Sequence, residues 1–293
     1  MRTCLTSIAF LISSLSGTVL KAEGIAVCWG WDGNGECNAP VGVLFKQIAA
    51  GSYYTVGLKL DGSVLAWGYS GWGTLNVPSG HVFSQVAAGY RHVIGLRTDG
   101  TAVCWGNNSN GECSPPSGEV FTQVAAGWGH SLGLRSDGSV VGWGYNGNGQ
   151  CTPPAGETFV QIAAGDSHSI GLRADGTAIC WGNNFLNACD VPPGESFASI
   201  WPAGFQSFGL RHDGTPVGWG NNSTGQATPP AGETFTHIAT GVWYSGGLRS
   251  DGSVSVWGDP ADLCHNVPNG VDFVAIDGGD YHMVGLAVPP EGA

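Results

Sequence analysis

Apolar positions along this chain run in short alternating stretches that break at regular points. Residues 121–157 read FTQVAAGWGHSLGLRSDGSVVGWGYNGNGQCTPPAGE. No helical stripe of ten or more residues is present. Period-two patterning instead predicts strands over 121–126, 130–135 and 139–144. A short fourth strand is expected around 150–153. Asp137-Gly138 between the second and third strands signals a tight hairpin. Ala-Gly, Asn-Gly and Pro-Pro steps punctuate the remainder.

The pattern recurs every 38 residues. Trp29, Trp67, Trp105, Trp143, Trp181, Trp219 and Trp257 keep the period, as do Phe45, Phe83, Phe121, Phe159, Phe197, Phe235 and Phe273. Leu58, Leu96, Leu134, Leu172, Leu210, Leu248 and Leu286 form a third column. Such regularity defines a repeat architecture, which governs every local motif. Seven small antiparallel sheets without helices predict an all-β fold, a seven-bladed β-propeller. The alternative, an open solenoid, would want polar caps. The last repeat stops after Gly285-Leu286 with its third strand missing, and residues 25–30 (IAVCWG) can supply it. The expected ring is therefore closed by the N-terminal strand completing the last blade.

The units AAGxxHSxGLRxDGxVxxWGxNxxGQ resemble repeats of the regulator of chromosome condensation superfamily, from Glu23 to about Leu286. The period is shorter than in eukaryotic nuclear members. It is closer to that of bacterial secreted relatives, such as the propeller that inhibits β-lactamases. The resemblance implies a seven-bladed propeller with a binding role, and leaves the partner open because one fold hosts many functions.

Composition adds a compartment. Residues 1–22 read as a signal peptide: a basic start at Arg2, an apolar small-residue run, and Ala22 at the cut. The alternative is a membrane anchor, for which the run is short. The expected domains are then the signal peptide, 1–22, and the propeller, 23–293. Glycine at 50 and proline at 16 suit turns, while 12 tryptophans and 42% hydrophobic residues argue against disorder. Formal net charge is −12, or about −14 without Arg2 and Lys21.

Antiparallel order places the turns after Ala-Gly and after Trp-Gly on one face, called the top. Outside the Trp and Phe columns and Phe10, fifteen aromatics remain. Thirteen fall in these top loops: Tyr53, Tyr54, Tyr90, Trp128, Phe205, Trp243, Tyr244 and Tyr281 in the first set, and Trp31, Tyr69, Trp72, Tyr145 and Phe185 in the second. Turn geometry asks for glycine and asparagine, not aromatics. Tyr and Trp dominate binding hot spots, so an aromatic binding face is expected. Tyr54 and Tyr244 share a column with histidines, which suggests a structural role. Asp32, Glu36, Glu112, Asp166, Asp259, Asp262 and Asp280 lie in the same loops, with Arg91 as the sole cation. The basic column Lys59, Arg97, Arg135, Arg173, Arg211 and Arg249 lies near the opposite turns. An acidic face repels phosphate and disfavours nucleic acid.

Chemistry-bearing groups mostly dissolve into the repeat. Cys28 and Cys37, Cys104 and Cys113, and Cys180 and Cys189 share a separation of nine around the same turn, and cysteines come and go there in pairs. That behaviour fits disulfides 28–37, 104–113 and 180–189 rather than a metal site needing four ligands together. An oxidising compartment agrees. Cys151 and Cys264 are left over, three blades apart. His92, His130, His168 and His282 share a column with Tyr54, Gln206 and Tyr244. They sit too far around a ring to share an ion, and are read as structural histidines bonded to loop backbone. The sequences at Asn107, Asn221 and Asn222 match a glycosylation acceptor, or serve turn geometry. The irregular loop with Asp259, Asp262, Cys264 and His265 is the nearest thing to a catalytic or metal grouping.

No cofactor, metal or catalytic site is expected. The leading expectation is a secreted (extracellular or periplasmic), monomeric, non-catalytic protein, with inhibition of a secreted enzyme as one form of its role. It would bind a secreted or cell-surface protein with a cationic surface. The expected contact residues are Trp31, Asp32, Tyr53, Tyr69, Trp72, Tyr90, Trp128, Tyr145, Phe185, Phe205, Trp243 and Tyr281. The alternative is a lectin-like, carbohydrate-binding propeller, and an enzyme comes third.

Overall fold

The computed structural model describes residues 23–289, so the expected signal peptide lies outside the described residues. The chain is all-β, with three-residue 3-10 turns at Phe185–Asn187 and Leu263–His265. Strand β1 spans Gly24–Gly30. Three-strand units follow: β2–β4 (Leu44–Ala50, Tyr54–Lys59, Val64–Gly68), β5–β7 (Phe83–Ala88, His92–Arg97, Ala102–Gly106) and β8–β10 (Gln123–Ala126, His130–Leu134, Val140–Gly144). Then come β11–β13 (Gln161–Ala164, His168–Leu172, Ala178–Gly182), β14–β16 (Ser199–Ala203, Gln206–Leu210, Pro216–Gly220) and β17–β19 (His237–Thr240, Tyr244–Leu248, Val254–Gly258). The last strands are β20 (Phe273–Gly278) and β21 (His282–Ala287).

These strands form six sheets, not seven separate ones. Five are three-stranded, and the sixth runs β20-β21-β1-β2-β3-β4. The merger arises because β1 pairs antiparallel with β21 from Ile25 to Gly30, while its first residues also meet β2 at Gly24↔Phe45 and Ile25↔Leu44.

The expected fourth strand around 150–153 does not form; that segment is turn. Its place is taken by single hydrogen bonds from indoles. Trp143 Nε1 donates to Glu112 O at 2.8 Å, Trp105 to Thr74 O at 2.7 Å, and Trp181 to Gln150 O at 2.8 Å. Trp219, Trp257 and Trp29 do the same to Ala188, Gln226 and Cys264. Each third-strand tryptophan thus caps the returning loop of the preceding unit. Trp67 is the exception, its Nε1 buried without a partner.

Within a unit the middle strand is buried throughout, as in His130–Leu134. The first-strand phenylalanine folds over it: Phe121 stacks on Trp143 at 5.8 Å and 21°. A Cβ at Gly133 would overlap the Phe121 ring, so the middle strand carries glycine there. The Asp-Gly hairpins are three-residue loops rather than two-residue ones. Arg135 N bonds Ser139 O, Gly138 has φ +82°, and Asp137 Oδ1 accepts from Ser139 N at 2.9 Å.

First strands alternate between neighbours. Val and Ile turn back into the core, while glutamines reach forward. Gln123 Nε2 donates to Ile162 O at 3.0 Å, and Ile162 N donates to Gln123 Oε1 at 2.9 Å. Gln47, Gln85 and Gln161 make the same paired contact to Val86, Val124 and Ile200. A side-chain amide thereby bridges two sheets that share no strand pairing. Later units carry Ser199, His237 and Ala275 in this column, and Asp277 Oδ2 instead accepts from Ala50 N at 2.9 Å. Gln123→Ala should orphan both Ile162 backbone groups. We expect a loss of about 2 kcal/mol, read as a lower urea midpoint at unchanged slope.

Candidate functional site

The three expected disulfides are present, with Cα–Cα distances of 4.9, 5.0 and 5.1 Å for Cys28–Cys37, Cys104–Cys113 and Cys180–Cys189. Each ties the end of a third strand to its returning loop. Cys151 and Cys264 are free. Burial pushes the Cys151 thiol up to about 11, which makes it a poor nucleophile at neutral pH.

Loop shape is set by the loops' own polar side chains. Asp32 Oδ1 accepts from Cys37 N at 2.9 Å, and Asn108, Asn146, Asn184 and Asn222 accept in the same way from Cys113, Cys151, Cys189 and Ala227. Glu36 and Glu112 are buried, not displayed. Their Oε2 atoms accept from Asn34 N and Asn110 N at 2.8 and 2.7 Å, as Gln150 and Gln226 accept from Asn148 and Thr224. This corrects the expectation that these glutamates charge the face. Asp262 likewise caps Cys264 N at the 3-10 turn, and no metal-binding cluster occurs there or elsewhere among the described residues.

The histidine column is structural, but its partner is not loop backbone. His92 Nε2 meets Ser131 Oγ at 2.9 Å, His130 meets Ser169 at 3.0 Å, His168 meets Ser207 at 2.9 Å, and His282 meets Thr55 at 2.9 Å. Each hydroxyl belongs to the next unit and donates its own proton to a loop carbonyl, for example Ser131 Oγ to Glu112 O at 2.8 Å. The imidazole Nε2 must therefore donate, leaving Nδ1 unprotonated, buried and without a partner. Where the receiving residue is Val93 or Met283, the column holds tyrosine. The Tyr54 hydroxyl reaches the carbonyls of Gly89 and His92, and that of Tyr244 reaches Gly279 and His282. Both rings are fully buried, so neither is available to a partner.

Most of the remaining top-loop aromatics separate into groups. Tyr281, Tyr53, Trp72, Tyr90 and Trp128 form a continuous belt, with ring centroids 5.4, 6.0, 5.6 and 5.9 Å apart in that order. Tyr69 sets its edge on Trp72 at 4.7 Å. The Arg91 guanidinium lies 4.8 Å from both the Trp72 and Tyr90 rings. Phe185 and Phe205 form a second pair at 5.6 Å. Trp31, Tyr145 and Trp243 are exposed at 40–49%. The two other spare aromatics are structural: Phe208 is buried, and Trp201 packs against His237 at 5.0 Å. Burial and the adjacent Tyr281 hold the Tyr53 phenol up at about 12.

First strands from every unit line one central cavity of about 290 Å³. Asp166, Asp277 and Asp280 stand on its wall; Asp277 replaces the alanine of most other units, while Asp166 and Asp280 share a column with Ser52, Tyr90, Trp128, Gly204 and Val242. Burial and the charge of Asp280 raise Asp166 to about 7, and burial raises Asp277 to about 6. Asp280 is also raised by burial, against a bond from Ser52 Oγ at 2.7 Å.

Repeated three-stranded sheets joined in this way define a β-propeller. Residues 45–71, 83–112, 121–150 and 159–187 match the Regulator of chromosome condensation (RCC1) repeat. Four of the repeats in this chain thus match that repeat family. Similar solved structures include Prp20p from Saccharomyces cerevisiae, at 17% identity over 95% of this chain and 94% of that one, TM-score 0.79. The ectodomain of the Physcomitrella patens receptor kinase CR4 matches at 24% identity over 84% and 71%, TM-score 0.74. Human WBSCR16 matches at 18% over 90% and 99%, TM-score 0.72. These likenesses concern the fold. No curated protein matches the sequence.

The buried histidines set an acid limit. Burial lowers His92, His168, His237 and His282 to about 4, and His130, which also feels His92 and His168, to about 3. An unfolded histidine binds its proton below about pH 6.5. Between 6.5 and 4 the unfolded chain therefore binds more protons at five sites, and stability falls as pH falls. Asp166, Asp277 and Asp280 act oppositely, since the folded state holds their protons first, but they are three against five. The urea midpoint should drop steadily from pH 6.5 to 4. His130→Gln, a residue this column already tolerates at Gln206, should make that drop shallower by about one proton.

Proposed function

We propose that this chain is a secreted, non-catalytic binding protein, a seven-bladed closed propeller whose top face engages another protein. The seven-blade count treats the six-stranded sheet as two blades sharing an edge. Support for closure comes from β1 pairing along β21, and from staples that run from the last unit back to the first through His282–Thr55 and Asp277–Ala50. Three disulfides and the apolar leader at 1–22 support an oxidising, extracytoplasmic destination.

The carrying observation is the aromatic belt. Five rings in series from consecutive units, with Trp128 41% exposed at one end, offer a rigid apolar surface with a polar rim. One relative in fold, yeast Prp20p, is described as binding Gsp1p and histones and, in a second structure, Kap60. We take the partner to be a secreted or cell-surface protein. A basic group on it fits the Asp166–Asp280 wall of the cavity, and inhibition of a secreted enzyme is one form the binding takes. A lectin would repeat one pocket from blade to blade, whereas here the aromatic positions vary around the ring, with Tyr281 and Tyr53 the one identical neighbouring pair, which favours a single protein epitope.

Pull-down from the native secretome identifies the partner, and a glycan array tests the carbohydrate reading. Trp72→Ala with Trp128→Ala should weaken partner binding by about 100-fold or more while the thermal midpoint holds within a few degrees. Trp243→Ala, away from the belt, should cost far less. Unchanged affinity in the double variant refutes the belt as the binding face.

A further inference from the structure

We infer that Arg91 is a receptor for one carboxylate side chain, Asp or Glu, presented by the protein partner. This rests on the protein-binding reading above and adds the chemistry at its centre.

The other arginines show what this chain does with a guanidinium. Arg135, Arg173, Arg211 and Arg249 each hold a glutamate sixteen residues earlier, at 2.6–2.7 Å. Arg97 has His81 in place of that glutamate and turns to it and to Thr101. Arg91 differs from all of these. Among the described residues no carboxylate lies within ion-pair distance of it, and its side chain makes no hydrogen bond. It is nevertheless half-buried, and its Nε is buried without a partner; Arg97 Nε is too, but the Arg97 fork still bonds His81 and Thr101, whereas the Arg91 fork bonds nothing in the described chain. A buried polar group left unpaired in one state of a protein asks what pairs it in another.

Its orientation is already fixed. The Trp72 and Tyr90 rings, each 4.8 Å from the guanidinium carbon, hold the planar head group against the belt. Such stacking removes part of its hydration and limits its rotamers before any partner arrives. The fork that remains matches a carboxylate in two-point geometry. The loop acids are engaged elsewhere: Glu112 accepts from Asn107 Nδ2 and Asn110 N, and Asp280 accepts from Ser52 Oγ.

The charge around the site selects a single carboxylate over a polyanion. Arg91 is the only cation of the top loops in a chain of net charge −12, and Asp280 is close enough to raise the Tyr53 phenol at the other end of the belt. A polyuronate or nucleic acid would meet these acids as it met Arg91. One acidic side chain flanked by apolar residues avoids them and lays its neighbours on the rings.

The probe is a phage-displayed cyclic peptide library panned on the folded chain, with selected peptides synthesised and titrated. Peptides seated on the belt should carry Asp or Glu next to an aromatic or aliphatic residue. Arg91→Gln should weaken them about 10-fold or more. Changing the peptide's Glu to Gln should weaken wild type equally and add nothing in Arg91→Gln. Arg91→Lys should fall between, because it keeps charge but loses the fork. Near-ultraviolet circular dichroism confirms that each variant is folded. Peptides lost in Trp72→Ala but indifferent to Arg91→Gln overturn the Arg91 site and leave the belt reading standing. Peptides that survive both Trp72→Ala and Trp128→Ala overturn the belt reading itself. Polygalacturonate binding tighter than every peptide, and lost in Arg91→Gln, overturns the choice of a protein carboxylate.

Discussion

No unit of this fold satisfies its own polar groups. The interaction on which the rest depends is the hydrogen bond between one unit and its neighbour, made at three different heights. At the bottom a glutamine amide meets the next first strand. Near the top a histidine, tyrosine or glutamine meets the next hydroxyl or carbonyl. At the rim an indole reaches back to the preceding loop. The short sheets draw their stability from these contacts between units and from the Phe–Trp stacks within each one. A polar group that is buried must be paired, so the arrangement holds each neighbour in register as well as in contact.

The same constraint explains residue choice across the column of His92. Where the next unit offers Ser131, Ser169, Ser207 or Thr55, an imidazole of the right length meets it; Ser245 is the exception, its partner position Gln206 reaching the Gly241 carbonyl instead. When the next unit's residue becomes Val93 or Met283, the hydroxyl is lost, and tyrosine extends past it to two backbone carbonyls. The identities at one position and 39 residues later therefore change together. Acid sensitivity is a by-product of this choice, because an imidazole that can only be neutral inside is charged outside.

Much of this was legible before any coordinates. The 38-residue period, the three strands per repeat and the three disulfides follow from column alignment, since cysteines that vanish in pairs must touch. The misreadings have physical causes. A fourth strand was expected where an indole hydrogen bond suffices, because a single bond leaves no periodic trace. Glu36 and Glu112 looked like surface charge, because loop position alone does not distinguish a displayed acid from one folded back onto an N–H two residues earlier. Gln150 and Gln226 in the same column were the available clue, for a neutral amide makes the same bond. The belt was visible only as a count of aromatics. That Tyr53, Trp72, Tyr90 and Trp128 touch while Trp31 and Tyr145 stand apart depends on the angle between successive units, which the sequence carries only indirectly.

The loop caps have a consequence for how such a surface changes over time. Asp32, Asn108, Asn146, Asn184 and Asn222 fix the turn by one hydrogen bond, and in most of the same loops a Glu or Gln four residues later fixes it by another. The residue just before the first cap is Trp31, Asn107, Tyr145, Asn183 or Asn221. The asparagines add a further bond to the turn, to Glu112, Phe185 and Ser223, whereas the Trp31 and Tyr145 side chains make none. An aromatic tip can therefore be rewritten without disturbing the turn beneath it, so those positions behave as interchangeable letters on a fixed page, and new specificities can be reached through folded intermediates.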